Sequence, residues 1–583
     1  MSAISFSTPN LDHGFSTLSV EQKHAFAKFT QGHNLFVTGP GGTGKTRLIQ
    51  FMVEYMNSIG KSYQVCALTG CAATLLNCKA KTIHSWSGVK LAKGDPEDII
   101  RRVVKGRSYP KAWRGVEVLI VDEVSMMSRK MFDLLDQIGR TTRKCNAKSF
   151  GGIQLIFTGD FFQLPPIPDH DDPTSSEFCF KHPRWGKTFK PENCIELKTF
   201  FRQTDPTYIS ILQEVRRGTI SPANIVHLQS RLTRGRVTEP KNGVLPTKLF
   251  PVRSKVETIN ESSYEKLEGE EKIYRFSVTT KATTRIDSGV ALSSAELAHC
   301  EELTSEQLSH EVDNLITSLF TEKVVRLKIG TLVMCTANIE VDRGICNGSQ
   351  GVVIGYGEAT ASILPDELMT KKSGPSIVPI VKFANGVIMK VSPYQRQSEE
   401  FPCIVVSQVP LCLAWALTIH KIQGATLDMA EMDIGRSIFA DGQSYVALSR
   451  VKTLDGLYLS EFNSTKIRAN PLVIEFYDSF PQVGEEEMSR QTVEILSTMR
   501  PPVHAVEMKQ TQMQSFIPTP NPFSVFSNKP ADELREEEPA HSGENTNKTR
   551  SPLQMDDGSL HIHRSFTEMN KDPTVKTIKL SKY

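Results

Sequence analysis

Hydrophobic positions along the chain follow two alternating patterns. "NLFVTG", "YQVCALTG", "VEVLIVDE" and "IQLIFTGD" are apolar at consecutive positions, whereas "TRLIQFMVEYMNSIG" and "SRKMFDLLDQIGRTTRK" space their apolar residues at helical intervals. Short, unbroken apolar runs suit strands covered on both faces. Their alternation with amphipathic helices predicts an α/β fold with a doubly wound parallel sheet. A second α/β pattern opens at about 189, breaks off near 265 and resumes near 405 with "PLCLAWALTIHKIQG" and "YVALSR". The intervening runs "GTLVMCTANI", "GSQGVVIGY" and "IVPIVKFANGVIMKV" are short, and Asn347-Gly348 and Asn385-Gly386 signal hairpin turns among them. The expected division is therefore a first α/β domain over 1–188, with a small insertion at about 87–112. A second α/β domain is expected over 189–265 and 406–480, and a small antiparallel β domain over 266–405. Residues 481–583, rich in Pro, Ser, Gln, Asn and charge, are predicted to be a disordered tail.

Composition changes this picture little. Of 583 residues, 39% are hydrophobic and 23% charged, the balance of an ordinary protein with a sizeable core. Lys plus Arg number 68 against 65 Asp plus Glu, so a nucleic-acid partner needs a local groove rather than a global basic field. No apolar run reaches membrane-spanning length. The first twenty-two residues carry no Lys or Arg, which speaks against a secretory n-region or an Arg-rich transit peptide. The 11 cysteines include no CxxC pair and are expected to be reduced thiols.

Candidate chemistry begins at "GPGGTGKT", Gly39 to Thr46, between a predicted strand and a predicted helix. Gly39, Pro40, Gly41, Gly42, Thr43 and Gly44 fit a loop whose backbone N–H groups curl around phosphate oxygens, helped by the helix N-terminus. Lys45 is expected to reach the β- and γ-phosphates, and the Thr46 hydroxyl to hold Mg²⁺. A plain Gly-rich turn is the alternative, and the flanking strand and helix argue against it. "VEVLIVDE" then delivers Asp122 and Glu123 at a strand end, where two buried carboxylates need a metal or a catalytic task. Asp122 is expected to bind Mg²⁺ directly or through a bound water, and Glu123 to be the base that orients the attacking water. In "IQLIFTGDFFQLPPIP", Gln163 is placed to bond a γ-phosphate or the attacking water, and Asp160 to join the Mg²⁺ shell or a neighbouring domain. Gln22, ahead of the first strand, is open to two readings: a contact to an adenine edge, or a surface glutamine.

These segments, with "LKTFFRQ", "LTIHKIQGATLD" and "GQSYVALSRV", closely resemble the motif series of superfamily-1 DNA helicases, and the match is closest to the Pif-type, RecD-like branch. The resemblance covers about residues 18 to 465 and includes "FDLLDQIGRTTRKCNAKSFGGIQLI", similar to a signature segment of that branch. It implies two RecA-like domains, the second carrying a small β-barrel insert. It also implies an ATP-driven, Mg²⁺-dependent motor moving 5′ to 3′ on single-stranded or forked DNA, with roles in replication, repair, recombination or telomere maintenance. Carried over by position, Arg202 and Arg450 are implied to be arginine fingers reaching the ATP from the second domain. The implied DNA contacts are Thr69, Gly70, His84, Ser85, Trp86, Thr418, His420 and Lys421, with Gln443 and Tyr445 beside them at the domain interface. Trp86 is open to two readings, a base-stacking platform or a core residue. The chain departs from the family pattern at Ile422, where Ser is usual, and at Arg253-Ser254, where an amide is usual; altered coupling is expected from these.

In the tail, Gln510 to Ile517, "QTQMQSFI", resembles a degenerate sliding-clamp binding box, with chance as the rival reading. A monomer inside the cell is expected, in the nucleus first, with a mitochondrion or a viral factory as alternatives. Two rivals to a helicase are a phosphate-loop ATPase that loads or remodels DNA without unwinding, and a nucleic-acid-binding protein with a dead ATPase. RNA in place of DNA is a further alternative.

Overall fold

Six strands run parallel in the order β3-β2-β4-β5-β1-β6. They are β1 (Leu35–Thr38), β2 (Tyr63–Ala67), β3 (Lys81–Thr82), β4 (Val118–Asp122), β5 (Gln154–Thr158) and β6 (Cys194–Glu196). The computed structural model describes residues 9–497 apart from 77, 79, 91, 93, 107–108, 169–171, 234–243, 287–288, 319–321, 360–376 and 399–400. The strands β1, β4 and β5 are buried at every position. Their successive residues alternate between two cores. Leu35, Val37, Val118, Ile120 and Ile156 pack with the helix Lys45–Ser58, while Phe36, Leu119, Val121, Leu155 and Phe157 pack with the helix Arg129–Thr142. A strand that feeds both cores has no polar position to show, which is why these runs read as unbroken apolar stretches. Because all strands are parallel, the loops after β1, β2, β3, β4 and β5 share one edge of the sheet, where such sheets bind ligands.

The strand β6 corrects the expected boundary at 188/189. It pairs with β1 (Phe36↔Cys194, Val37↔Ile195, Thr38↔Glu196), so the chain leaves the first sheet only after Glu196. As a three-residue edge strand with one buried position, it has too little apolar pattern to signal its sheet. The expected insertion at about 87–112 is a pair of helices, Pro96–Lys105 and Tyr109–Gly115, resting on Arg129–Thr142. The first is capped by Asp95, with Pro96 at its opening position.

After β7 (Thr247–Phe250) and the helix Arg253–Glu265 the chain enters an antiparallel β region. Its strands are β8 (Lys272–Arg275), β9 (Ser277–Thr279), β10 (Val324–Leu327), β11 (Leu332–Cys335), β12 (Gln350–Glu358), β13 (Ile377–Phe383), β14 (Ile388–Lys390), β15 (Tyr394–Gln397), β16 (Val405–Gln408) and β17 (Leu411–Leu413). They form sheets in the orders β14-β13-β12-β11-β17, β15-β16-β9 and β10-β8. Asn385-Gly386 is the β13–β14 hairpin turn, with Gly386 at φ 90°. Two details differ from expectation. The strand β17 pairs with β11, carrying the insert past 405 to Leu413. Two helices, Ser294–Glu301 and Ser305–Ser318, also sit within the insert, and their polar composition hid them among β signals. The chain then returns through β18 (Ala416–Thr418), β19 (Ala430–Ile434) and β20 (Leu457–Phe462) to a second parallel sheet, β18-β7-β19-β20.

The expected disordered tail is corrected at its start. Glu485–Ser497 is a helix that buries Met488, Thr492 and Leu496, at i, i+4 and i+8, against Val20–Thr30. Outside this stripe the helix is mostly charged and polar, with Val493 exposed, which is why composition alone read it as tail. The preceding helix, Pro471–Asp478, places Phe476 and Tyr477 among first-sheet aromatics: Phe476 lies 6.0 Å from Phe36, and Tyr477 lies 4.7 Å from Phe162. The clamp-like box at Gln510–Ile517 lies outside the described residues. No described helix is long and apolar enough to cross a membrane.

Candidate nucleotide and DNA site

The phosphate loop hangs from the end of β1 and runs into the helix Lys45–Ser58, which opens with Gly44 at φ 81°. Gly42 shows why this loop is glycine-rich. At φ 96°, a Cβ there would lie 2.7 Å from both the Arg202 side chain and Gln203 Oε1. Lys45 donates to the carbonyls of Gly39 (2.6 Å) and Pro40 (3.1 Å), keeping its ammonium over the loop. Thr46 is exposed in the first helical turn. Gln22 is only 1% exposed, which removes the surface-glutamine reading. Its Oε1 accepts from Ser19 N in a capping box of the helix Val20–Thr30, while Nε2 donates to Thr43 O (3.3 Å) and Gly44 O (3.1 Å). The amide expected to read an adenine edge thus braces the loop itself.

The strand β4 brings Asp122 and Glu123 to the floor below the loop. The Thr158 hydroxyl, at the end of β5, donates to Asp122 Oδ1. Burial raises the Asp122 carboxyl above its ordinary range, opposed by the Thr158 bond and the Lys45 charge. Glu123 holds a left-handed backbone (φ 56°, ψ 39°), unusual for a residue with a Cβ and typical of strain kept at a working site. Burial, reinforced by Asp122, pushes its carboxyl up to about 7, against the pull of Lys45 and Arg450. Gln423 Nε2 donates to Glu123 Oε2 at 3.1 Å. Gln423 is a site residue that the sequence reading missed. It lies inside "TIHKIQG", of which Thr418, His420 and Lys421 were expected to contact DNA, and that motif was the available signal.

The segment after β5 resolves its acid, its amide and its two aromatics separately. Asp160 is fully buried and takes a two-armed contact from Arg216 of the helix Pro206–Arg216 (Nε to Oδ2 3.1 Å, Nη2 to Oδ1 3.0 Å). The same guanidinium reaches Glu196 at 2.8 Å. Of the two roles expected for Asp160, the structure gives it a partner on a neighbouring element. Phe161 packs into the aromatic cluster of Phe36 and Phe180, and Phe162 stacks on Tyr477. Gln163 is 4% exposed, and its Oε1 has no hydrogen-bond partner among the described residues. Gly442 fits tightly against this segment: at φ 75°, a Cβ would stand 2.4 Å from Phe162 O and 2.6 Å from Gln163 O.

The arginines Arg202 and Arg450 meet the loop from different sheets. Arg450 comes from the second sheet's side, after the helix Gln443–Leu448, and is 2% exposed. Its guanidinium donates to Val446 O (2.9 Å), Ala425 O (3.4 Å) and Ser449 Oγ (2.7 Å), and a Cβ on Gly41 would lie 3.2 Å from it. Arg202 was expected on the far side too, and this is corrected. It follows β6 of the first sheet, with its backbone and that of Phe201 bonded to Gly42 O, and reaches across to Ser449 O at 3.1 Å. Burial, with the like charge of Arg450, pushes the Arg202 guanidinium down to about 9. Neither arginine makes an ion pair among the described residues. Gln203, also missed, ties the two sides through Ser449 O (3.4 Å) and Val451 O (3.1 Å). Phe201 is 52% exposed, with its ring against Gly44, and offers an open aromatic face beside the loop.

Tyr445 and Gln443, expected beside the DNA contacts, are turned away from solvent. Tyr445 is 1% exposed, and its hydroxyl accepts from the Gly41 amide at 2.9 Å. Gln443 is fully buried and accepts from Phe439 N and Ala440 N. Their helix is buried at every position, so neither side chain meets a solvent groove. Thr69, Gly70, His84 and Ser85 lie after β2 and β3, at the far end of the carboxyl edge from β1. Thr69 Oγ1 accepts from Ala72 N, and Ser85 is exposed. Thr418 ends β18 and accepts from Lys421 N at 3.2 Å, with His420 exposed beside it. Trp86 takes the core reading: 6% exposed, it packs on Trp113 at 4.7 Å. Trp86→Ala is expected to lower unfolding stability by about 3–5 kcal/mol and to leave single-stranded DNA affinity within about twofold; denaturant titration and fluorescence anisotropy read the two. A large loss of affinity in a stably folded variant would return Trp86 to the DNA site. Of the family departures, Ile422 is a fully buried core residue, and Arg253 forms an exposed ion pair with Glu257.

A phosphate loop on one parallel sheet, an acid pair beside it and an arginine brought from a second parallel sheet place the chain among phosphate-loop proteins with two RecA-like domains. The family described as PIF1-like helicase matches residues 17–225, and that described as DNA helicase Pif1, 2B domain, matches residues 312–356 of the β insert. The chain is 33% identical over 477 residues to the ATP-dependent DNA helicase PIF1 of Xenopus laevis, covering 82% of this chain and 66% of that protein. The Homo sapiens ATP-dependent DNA helicase PIF1 is 33% identical, covering 79% and 63%. Among solved structures, the Pif1 helicase from Candida albicans is 32% identical with a TM-score of 0.60, covering 80% of this chain and 99% of that one. Bacteroides sp Pif1 in complex with ADP-AlF4 is 26% identical with a TM-score of 0.61, covering 79% and 96%. The chain belongs to the PIF1-like helicase family. It spans 63–66% of the length of the two curated relatives compared.

Proposed function

We propose that this chain is an ATP-dependent helicase that moves 5′ to 3′ along single-stranded DNA and opens duplex or structured DNA ahead of it. The observation that carries the reading is the pair Arg450 and Tyr445, which reach Gly41 of the phosphate loop from the second sheet's side. Groups delivered from another domain make turnover depend on cleft closure, which couples hydrolysis to movement. The reading is supported by the relatives, named as ATP-dependent DNA helicases, and by a Pif1 helicase from Bacteroides solved with ADP-AlF3 and ssDNA.

In this reading the loop amides and Lys45 hold the ATP phosphates, and the open face of Phe201 takes the base. Glu123, steadied by Gln423, accepts a proton from the attacking water. Gln163 bonds the γ-phosphate or that water and loses the bond on hydrolysis. Arg450 and Arg202 stabilise charge on the transferring phosphoryl. The residues also suit Mg²⁺. An exposed Thr46 hydroxyl and the Asp122 carboxylate, already oriented by Thr158, form the small oxygen donor set that Mg²⁺ takes when phosphates and water complete its shell. Bound there, the ion would neutralise phosphate charge. Thr69, Gly70, His84, Ser85, Thr418, His420 and Lys421 offer hydroxyls, imidazoles, an ammonium and a backbone amide to DNA phosphates without reading sequence.

Strand displacement on two duplexes, one with a 5′ and one with a 3′ single-stranded tail, tests the proposal, with Lys45→Ala as control. Opening of the 5′-tailed duplex alone, dependent on ATP, is expected. ATP hydrolysis with neither duplex opened would replace the helicase with a DNA loader or remodeller, and opening from the 3′ tail would reverse the direction.

A further inference from the structure

Tyr477 stands outside every motif that carries the nucleotide chemistry, yet its side chain reaches two of them. The residue is 3% exposed and sits near the end of the helix Pro471–Asp478, beyond the last strand of the second sheet. Its hydroxyl shares a 2.5 Å hydrogen bond with Thr38 Oγ1, the last residue of β1 before the phosphate loop. The same oxygen accepts the Phe161 amide at 3.0 Å and donates to Asp160 Oδ1 at 3.3 Å, both in the segment leading to Gln163. Its ring stacks on Phe162 with an interplanar angle of 24°. The Arg216 guanidinium lies 4.7 Å from the Phe162 ring and 5.2 Å from the Tyr477 ring. One phenol therefore fastens the strand that ends in the phosphate loop to the segment that ends in Gln163.

We propose that Tyr477 is a positioning residue for ATP turnover, holding the Gln163 segment in register with the phosphate loop through its hydroxyl. The proposal rests on the ATPase reading above. Three polar contacts on a single buried oxygen fix a point between the two strands, and the ring clamps Arg216 onto Asp160. Gln163 lies two residues beyond Phe161, so freeing the Phe161 amide loosens the backbone that carries the Gln163 side chain. A phosphate oxygen or a water is then met by an amide at varying distance, and a small misplacement at this point costs rate rather than binding. A C-terminal helix takes part in the geometry of an N-terminal site.

Tyr477→Phe keeps the ring, the stacking and the cation contact and removes only the hydroxyl. DNA-stimulated kcat is expected to fall about tenfold with KM for ATP within about twofold. In the nucleotide-free protein, hydrogen exchange at the Phe161 amide is expected to speed up about tenfold. Thr38→Val removes the facing hydroxyl, and the double variant is expected to lose little more than Tyr477→Phe alone. Unchanged kcat and unchanged exchange in Tyr477→Phe would overturn the role. So would losses that appear in KM, or that follow global unfolding with exchange raised throughout the chain. Absence of ATP turnover in the parent protein sinks the ATPase reading and the turnover role with it; the Phe161 exchange then still shows whether the hydroxyl holds the segment.

Discussion

Glu123→Gln is expected to bind ATP as the parent protein does and to hydrolyse it about 10³-fold more slowly. The substitution keeps the size of the side chain and leaves an oxygen to accept from Gln423, so the geometry around it survives. What it removes is a base. Burial first, and Asp122 second, hold the Glu123 carboxyl up at about 7, which places a proton acceptor near the operating pH. Turnover in the parent should therefore rise with pH through about 7 and fall below it, where the carboxyl is protonated. Stability should move the other way. A carboxyl raised in the folded state binds its proton more tightly folded than unfolded, so the folded chain loses stability as pH climbs from the ordinary carboxylate range through about 7. Glu123→Gln has no such loss, and its melting temperature relative to the parent should be higher at pH 8 than at pH 5. Single-turnover hydrolysis, nucleotide titration and thermal melts at the two pH values check the three parts. A variant that still turns over ATP at a tenth of the parent rate would remove Glu123 as the base.

Legibility in the sequence followed how much each element depends on its own residues. The strands β1, β4 and β5 were readable because central parallel strands feed two cores and leave no polar position. Gly39 to Thr46 was readable because its backbone conformation demands glycine and its chemistry demands Lys45. The strand β6 was not readable, since a three-residue edge strand is fixed by its hydrogen bonds to β1 rather than by its own pattern. Arg202 was misplaced with it. The helix Glu485–Ser497 was hidden for a related reason, because it buries only one narrow stripe against a partner hundreds of residues away. Gln22 and Tyr445 were recognised as motif residues, but their contacts to the loop, through Thr43 O, Gly44 O and the Gly41 amide, were not foreseen. A motif marks which residues gather near a site, and not which of them touch the ligand and which brace the loop that does. Trp86 shows the same limit, since nothing local distinguishes an aromatic that stacks on a base from one that stacks on Trp113.

Arg450→Ala is expected to lower DNA-stimulated ATP turnover by about 10³-fold or more, in the range of other arginine fingers, without a comparable loss of ATP affinity. The side chain is buried, and carbonyl and hydroxyl oxygens are its partners where a carboxylate would be expected. A cation desolvated in this way, with Arg202 as a like-charged neighbour, is a cost to the folded state only partly offset by the nearby Glu123 charge, and it gains further from an arriving anion. The phosphoryl group in flight is such an anion. Removing Arg450 should therefore harm catalysis far more than stability, whereas an arginine in a structural ion pair shows the reverse. Arg450→Lys keeps the charge but loses the planar fork that bonds Val446 O and Ser449 Oγ together, so it should recover only a small part of the rate. Arg202→Ala supplies the contrast. Its backbone stays bonded to the phosphate loop whether or not the cleft closes, so its loss should lower turnover alike with and without single-stranded DNA and should leave stimulation by single-stranded DNA in place. Arg450 comes from the other sheet, and its loss should abolish that stimulation, because closure of the cleft no longer brings a cation to the phosphate. Steady-state turnover with and without single-stranded DNA, set beside denaturant melts of the three variants, separates these outcomes. Stimulation that survives in Arg450→Ala would mean that DNA signals to the ATP site by a route other than the second sheet's arginine.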